Sequence, residues 1–145
     1  MREVEKLVRE VNRLHFTKFH QTLSGFGLGK GQPPILKYLS LNDGCKQSEI
    51  AKREHLTAAT VTVMLQTMEK NGLIERKSDE NDLRIMRVYI TQKGREIQKK
   101  CDEAIENMEK EIYAEFTADE IEIFKKLLTK KRDRLKVLLE GEIKE

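Results

Sequence analysis

The stretch from Gly44 to Gly94, GCKQSEIAKREHLTAATVTVMLQTMEKNGLIERKSDENDLRIMRVYITQKG, leaves this chain few ways to fold. Gln47 to Glu54 reads as a short helix with Ile50 and Ala51 turned inward, and His55 and Leu56 form a sharp turn after it. Thr57 suits the N-cap of a second helix, because its hydroxyl can accept from an orphan amide one turn on. That helix runs to about Lys70 and ends at Asn71-Gly72, where glycine allows a left-handed exit. Leu73 to Lys77 and Ile85 to Ile90 alternate as strands do, and the polar run Ser78 to Arg84 between them reads as a hairpin tip. Helix, turn, helix and hairpin, in that order, make a winged helix-turn-helix.

The flanks are helical. From Glu3 to Leu23, Val4, Leu7, Val11 and Leu14 form one stripe, and Val8, His15, Phe19 and Thr22 a neighbouring one. Ser24 to Gly31 is rich in glycine; no strand precedes it and no Lys-Ser/Thr pair closes it, so it reads as a flexible connector rather than a phosphate loop. Pro33 and Pro34 fit the first turn of the next helix, which Ile35, Leu36, Tyr38, Leu39 and Leu41 give a buried face. Asn42-Asp43-Gly44 ends it, and the segment at Cys45 is placed to pair with the hairpin. Beyond the hairpin, Thr91 caps a long helix with apolar positions at Ile97, Cys101, Ala104, Ile105, Met108, Ile112 and Phe116. Thr117-Ala118-Asp119-Glu120 is a capping box for a last helix carrying Ile121, Phe124, Leu127, Leu128, Leu135, Leu138 and Leu139. The fold class is therefore mainly α with a small β-hairpin wing.

At 145 residues the chain is one domain by size. Its first and last helices carry more apolar surface than so small a domain can cover, and a second copy is the expected cover. Charged residues reach 37%, against an ordinary ~25%. Their distribution is uneven: ten Lys/Arg stand against seven Asp/Glu in residues 44–95, and eleven against fourteen in residues 96–145. A basic reading head on an acidic scaffold suits nucleic-acid binding. The start, MREVEKLVREV, lacks the apolar core of a signal peptide, and no stretch approaches a membrane span, so no membrane role and a cytoplasmic location are expected.

On the second helix of the motif, Val61, Met64, Leu65 and Met68 share one side, which is the core side. Ala59, Val63, Gln66 and Lys70 lie opposite, with Thr62 at the flank. The turn Ala58, Ala59, Thr60 would enter the major groove first. Val63 and the alanine methyls can meet thymine methyls, and Gln66 can read adenine through two amide bonds. The hairpin adds Arg76, Lys77, Arg84 and Arg87, and a wing can carry an arginine into the minor groove, where the potential is most negative. Asp82 and Arg84, two apart on a strand, are placed to pair. Gln47, Thr57, Ala58, Ala59, Thr60, Thr62, Val63, Gln66, Lys77, Arg84 and Arg87 are the candidate DNA contacts.

These residues resemble the MarR family of transcriptional regulators over essentially the whole chain. The resemblance is carried by Leu56-Thr57, Leu65, Met68-Glu69-Lys70-Asn71-Gly72-Leu73-Ile74, then Asp82-Leu83-Arg84, Val88, Ile90-Thr91 and Gly94, with Gln32-Pro33-Pro34-Ile35-Leu36 upstream. It implies a homodimer whose helical dimerisation region is built from residues 1–31 and 96–145, around a winged helix-turn-helix at 32–95. It implies a pseudo-palindromic duplex operator, commonly repressed, and a small aromatic or anionic effector that loosens DNA binding. Ala58, Ala59, Thr60, Thr62, Val63, Gln66 and Arg84 stand at the family's DNA-reading positions. Val63 departs from the pattern, since the family often has a basic residue there, and its absence shifts affinity toward the wing.

An effector cleft would draw on His15, Phe16, Phe19, His20, Tyr38 and Met64. His15 and His20 are five apart and point about 140° from one another on a helix, so they make no metal pair, and neither metal nor cofactor is expected. Cys45 and Cys101 are not expected to form a disulfide; Cys101 falls on an apolar stripe. No nucleophile elbow, His-Glu metal motif or complete phosphate loop points to an enzyme. Two alternatives to a ligand-released repressor are a dimeric protein-interaction module that never touches DNA and a regulator that senses oxidants through a cysteine.

Overall fold

A computed structural model describes residues 1–142. Helix α1 (Arg2–Leu23) leads through a 3₁₀ turn (Ser24–Phe26) to α2 (Gln32–Leu41). A two-residue strand β1 (Cys45–Lys46) precedes α3 (Gln47–Arg53) and α4 (Ala58–Lys70). The hairpin β2 (Ile74–Ser78) and β3 (Met86–Ile90) follows, then α5 (Gln92–Ile112) and α6 (Ala118–Glu142). The chain divides into two compact units, Met1–Met108 and the residues from Glu109 onward. No helix among the described residues is long and apolar enough to cross a membrane.

The first unit owes its shape to one core. Ile35, Leu36 and Leu39 of α2, Ile50 of α3, and Val61, Leu65 and Met68 of α4 are wholly buried together with Val88 of β3. Each such side chain contributes about 2 kcal/mol by leaving water. Exposed ion pairs such as Lys37–Asp102 contribute less than about 1 kcal/mol. The apolar spacing of α2, α3 and α4, rather than charge, therefore assembles the head.

The caps are where the sequence puts them. Thr57 Oγ1 accepts from the Thr60 amide at 3.2 Å, and Thr91 Oγ1 accepts from the Gly94 amide at 3.0 Å. Gly72 takes φ +75° as α4 exits. The turn between α3 and α4 departs from simple expectation: His55 adopts the left-handed φ of 52°, which brings the Leu56 amide to the Ala51 carbonyl at 3.0 Å. That bond closes the last turn of α3, and only Thr57 separates Leu56 from α4.

The sheet is antiparallel in the order β1-β3-β2, with Cys45 opposite Val88 and Arg76 also opposite Val88 on the other side. The Asp43 carboxylate ties its edge, accepting from the Ile90 amide at 2.9 Å and from Arg95 at 3.0 Å. Gly94 in the first turn of α5 sits against this sheet: a methyl group there would stand 2.2 Å from the Leu73 carbonyl oxygen. No side chain fits.

Three expectations need correction. Phe116 does not extend the stripe of α5, which ends at Ile112; it lies in the following turn, stacked edge-on to Tyr113 at 5.4 Å. Ser24 to Gly31 is not a featureless connector, because the buried Gln32 side chain accepts from the Gly29 amide at 2.9 Å and holds the loop onto α2. Asp82 and Arg84 pair as expected but not on a strand; both lie in the loop between β2 and β3, where three consecutive amide and side-chain bonds to one carboxylate make the pair.

In the second unit, the Thr117–Glu120 capping box forms: the Glu120 carboxylate accepts from the Thr117 amide at 2.9 Å, and Thr117 Oγ1 accepts from the Glu120 amide at 3.2 Å. Ile123, Phe124, Leu127, Leu128, Leu135, Val137, Leu138 and Leu139 of α6 are exposed, as are Val4, Leu7, Val11 and Leu14 of α1 in the first unit.

Candidate nucleic-acid interface

The outer face of α4 is bare. Ala58, Ala59, Thr60, Val63, Gln66 and Lys70 are exposed, and Val63 reaches 61% exposure. Val61, Leu65 and Met68 face the core on the opposite side, as the periodicity requires, while Met64 is only half-buried. Two of the expected contacts have structural duties as well. Thr60 and Thr57 share a hydrogen bond at 2.9 Å. Thr62 donates to the Ala58 carbonyl at 2.9 Å and accepts from Gln47 Nε2 at 2.7 Å, so this pair fastens α3 to α4.

The wing is held at two places. At its root, the Glu69 carboxylate accepts from the Arg76 amide at 2.9 Å and from the Arg76 guanidinium at 3.1 Å, which holds Glu69 below the usual carboxylate range. At its tip, Asp79 accepts from the amides of Asn81 and Asp82 and from Arg87 Nε. Arg87 also donates to the Gly44 carbonyl at 2.9 Å, so the tip is tied to the chain before β1. Arg87, expected among the DNA contacts, is thus committed to Asp79 and Gly44 and only one-third exposed. Arg76 is likewise withdrawn behind Glu69.

Arg84 is the opposite case. Its side chain is 91% exposed, and Asp82 fixes it through Nε at 3.0 Å and Nη2 at 3.1 Å. One face of the guanidinium fork is braced while the remainder faces solvent. Lys77 stands on the same hairpin, 3.5 Å from Glu75 and over the Tyr89 ring. Arg84, Ile85 and Met86 share a shallow cavity of about 270 Å³ with Gln47, Ser48, Ala51 and Ala58, so the tip adjoins the N-terminal turn of α4. Nothing in the spacing marks Asp79 or Glu69 as anchors, since each partner lies seven or eight residues away across a turn. The hydrogen bonds from Arg84 hold the Asp82 carboxyl below the usual range, with a smaller contribution from Lys46.

Only some of the expected effector residues come together. Phe16, Phe19 and His20 cluster, with the Phe16 and Phe19 rings 4.2 and 5.8 Å from that of His20. Phe16 and His20 line a cavity of about 400 Å³ with Leu23, Ser24, Leu28, Gly29, Lys30 and Pro33. Tyr38 instead lines a separate depression with Lys37, Leu41 and Arg53, and the Arg53 guanidinium sits 4.7 Å over its ring. His15, Phe19 and Met64 line neither of the two, and Met64 lies against Gly31. Among the described residues no three His, Cys, Asp or Glu side chains gather as a metal site.

Comparison with known proteins points to one family. A profile described as "MarR family" matches residues 31–86, from the start of α2 to the first residue of β3. The structure also superposes on MepR, described as a transcription regulator of the Staphylococcus aureus multidrug efflux pump MepA, with a TM-score of 0.80 and 28% identity over 90% of this chain and 97% of that one. The chain thus matches the MarR family both in its profile over residues 31–86 and in its fold. The match supports a MarR-type helix-turn-helix regulator, and members of that family are DNA-binding regulators. A MepR variant bound to an oligodeoxyribonucleotide gives a TM-score of 0.68 at 28% identity, covering 91% of this chain and 97% of that one. The Bacillus subtilis regulator YsmB, itself described as uncharacterized, is 25% identical over 134 residues, 92% of each chain.

Proposed function

We propose that this chain works in the cytoplasm as a homodimeric repressor that reads a pseudo-palindromic duplex operator. The observation that carries the reading is the pairing of a bare α4 face with an exposed, carboxylate-braced Arg84 on the adjoining wing. Gln47, Thr57, Ala58, Ala59, Thr60, Thr62, Val63 and Gln66 serve the major groove, and Arg84 with Lys77 the phosphates and minor groove. With Val63 uncharged, the helix brings shape and methyl contacts, and the wing brings the charge. A second copy covers the apolar faces of residues 1–31 and 96–145, which supplies the two reading heads a palindrome needs.

Release falls to a small aromatic or anionic effector in the 400 Å³ cavity. Phe16, Leu23, Leu28 and Pro33 give it apolar walls, Lys30 gives it a positive charge, and His20 adds an imidazole at the rim. Its far wall, Leu28 to Lys30, runs directly into Gly31, which lies against Met64 of α4. A ligand that displaces this wall therefore acts on the recognition helix.

Titration of duplex DNA with the native protein and Arg84→Ala tests the reading. The native affinity falls steeply with salt, and the variant binds at least about tenfold more weakly with its fold intact. Binding that ignores salt, or an unaffected variant, would sink it in favour of a protein-interaction role.

A further inference from the structure

The wing tip displays one side chain that neither packing nor hydrogen bonding in the protein accounts for. Leu83 is 79% exposed, more than any other leucine among the described residues. It lies between Asp82 and Arg84 in a loop that has little freedom to fold it away. The Asp79 amide donates to the Ile85 carbonyl at 2.8 Å, and the Ile85 amide donates to the Asp82 carbonyl at 2.9 Å. Inside that closure, Asp79 fixes the amides of Asn81 and Asp82, and Asp82 fixes the amide and guanidinium of Arg84. The loop is thus a small rigid turn presenting a leucine and an arginine together. Arg84 to Met86 adjoin Ala58 at the start of α4, so the pair stands on the side from which that helix enters a groove.

We propose that Leu83 is a specificity residue that packs against the deoxyribose walls of the minor groove while Arg84 reaches toward its floor. This rests on the reading of the chain as a groove binder. The chemistry favours A·T steps. An A·T minor groove is narrow, so its sugar walls close on an isobutyl group from both sides, and its floor offers the acceptors an arginine needs. Guanine places an amino group on that floor, which Arg84, a donor only, cannot accept from, and which holds the groove open around the leucine. A polar side chain at this position would lose this discrimination; a basic one would replace it with sequence-independent charge.

Selection from a random duplex pool, run in parallel on the native protein, Leu83→Ala and Leu83→Arg, tests the assignment. The native protein enriches A·T pairs at the flanks of each half-site. Leu83→Ala lowers that enrichment about fivefold while leaving the salt slope unchanged. Leu83→Arg also loses the preference and steepens the slope by about one phosphate contact. Circular dichroism melts match the native protein, because the side chain is exposed. Salt-sensitive native binding with identical flanking profiles in all three proteins overturns the role of Leu83 alone. Failure of the native protein to bind any duplex overturns it together with the groove-binding reading.

Discussion

A methyl group added at Gly31 would stand 2.8 Å from the Cε of Met64, so the connector between α1 and α2 rests directly on the recognition helix. Gly31 also holds φ +80°, which an L side chain rarely tolerates. The two costs are separable. The strained φ belongs to Gly31 alone, whereas the close approach belongs to the pair.

Gly31→Ala is accordingly expected to lower stability by about 1–2 kcal/mol in urea denaturation, the cost of the left-handed φ. The Met64 methyl is the far end of a flexible side chain and can swing aside, so the same substitution costs about as much in a Met64→Ala background. A much smaller cost in the Met64→Ala background would mean instead that Met64 is held rigidly against the connector.

Glu69 makes the wing's root sensitive to acid. Its hydrogen bond from Arg76 holds its pKa below the ordinary value, so its folded-state pKa lies below the unfolded one. The stabilisation is fully present above the unfolded value and is lost as pH falls through the folded one. Thermal melts of the native protein and Glu69→Gln therefore differ at neutral pH, and the gap closes as pH falls below the ordinary glutamate value and through the lower folded one. A gap independent of pH would remove the ionised carboxylate from the anchor.

Much of this anatomy is local and so could be read from the sequence. Thr57, Thr91 and Thr117 cap because a hydroxyl and an amide three residues on are enough, whatever the rest of the chain does. The faces of α2, α3 and α4 follow from spacing alone. The wing's anchors do not. Asp79 with Arg87, Glu69 with Arg76, and Asp43 with the Ile90 amide meet only after the sheet has formed, and nothing in their spacing marks them. His55 gave no warning of its left-handed turn, and the cavity lining depends on the fold of the connector, which the Gln32 side chain holds through the Gly29 amide.

Both cysteines are placed to be inert. Burial, with Glu49 nearby, pushes the Cys45 thiol up to about 11, and burial raises Cys101 as well. At neutral pH the reactive thiolate of Cys45 is roughly one part in ten thousand. Alkylation of the native protein by iodoacetamide is expected to be slow and to become rapid on denaturation, and peroxide is expected to leave DNA affinity unchanged. Rapid native labelling, or release from DNA by peroxide, would restore the oxidant-sensing alternative.

The central claim is that two copies of one bare helix and one braced wing read a single duplex. Selection of bound sequences from a random duplex pool, read out as the enriched consensus and its internal symmetry, addresses it most directly. The account predicts an inverted repeat whose half-site centres lie about one helical turn, roughly 10 base pairs, apart. A consensus without two-fold symmetry, or no enrichment at any salt concentration, would contradict it.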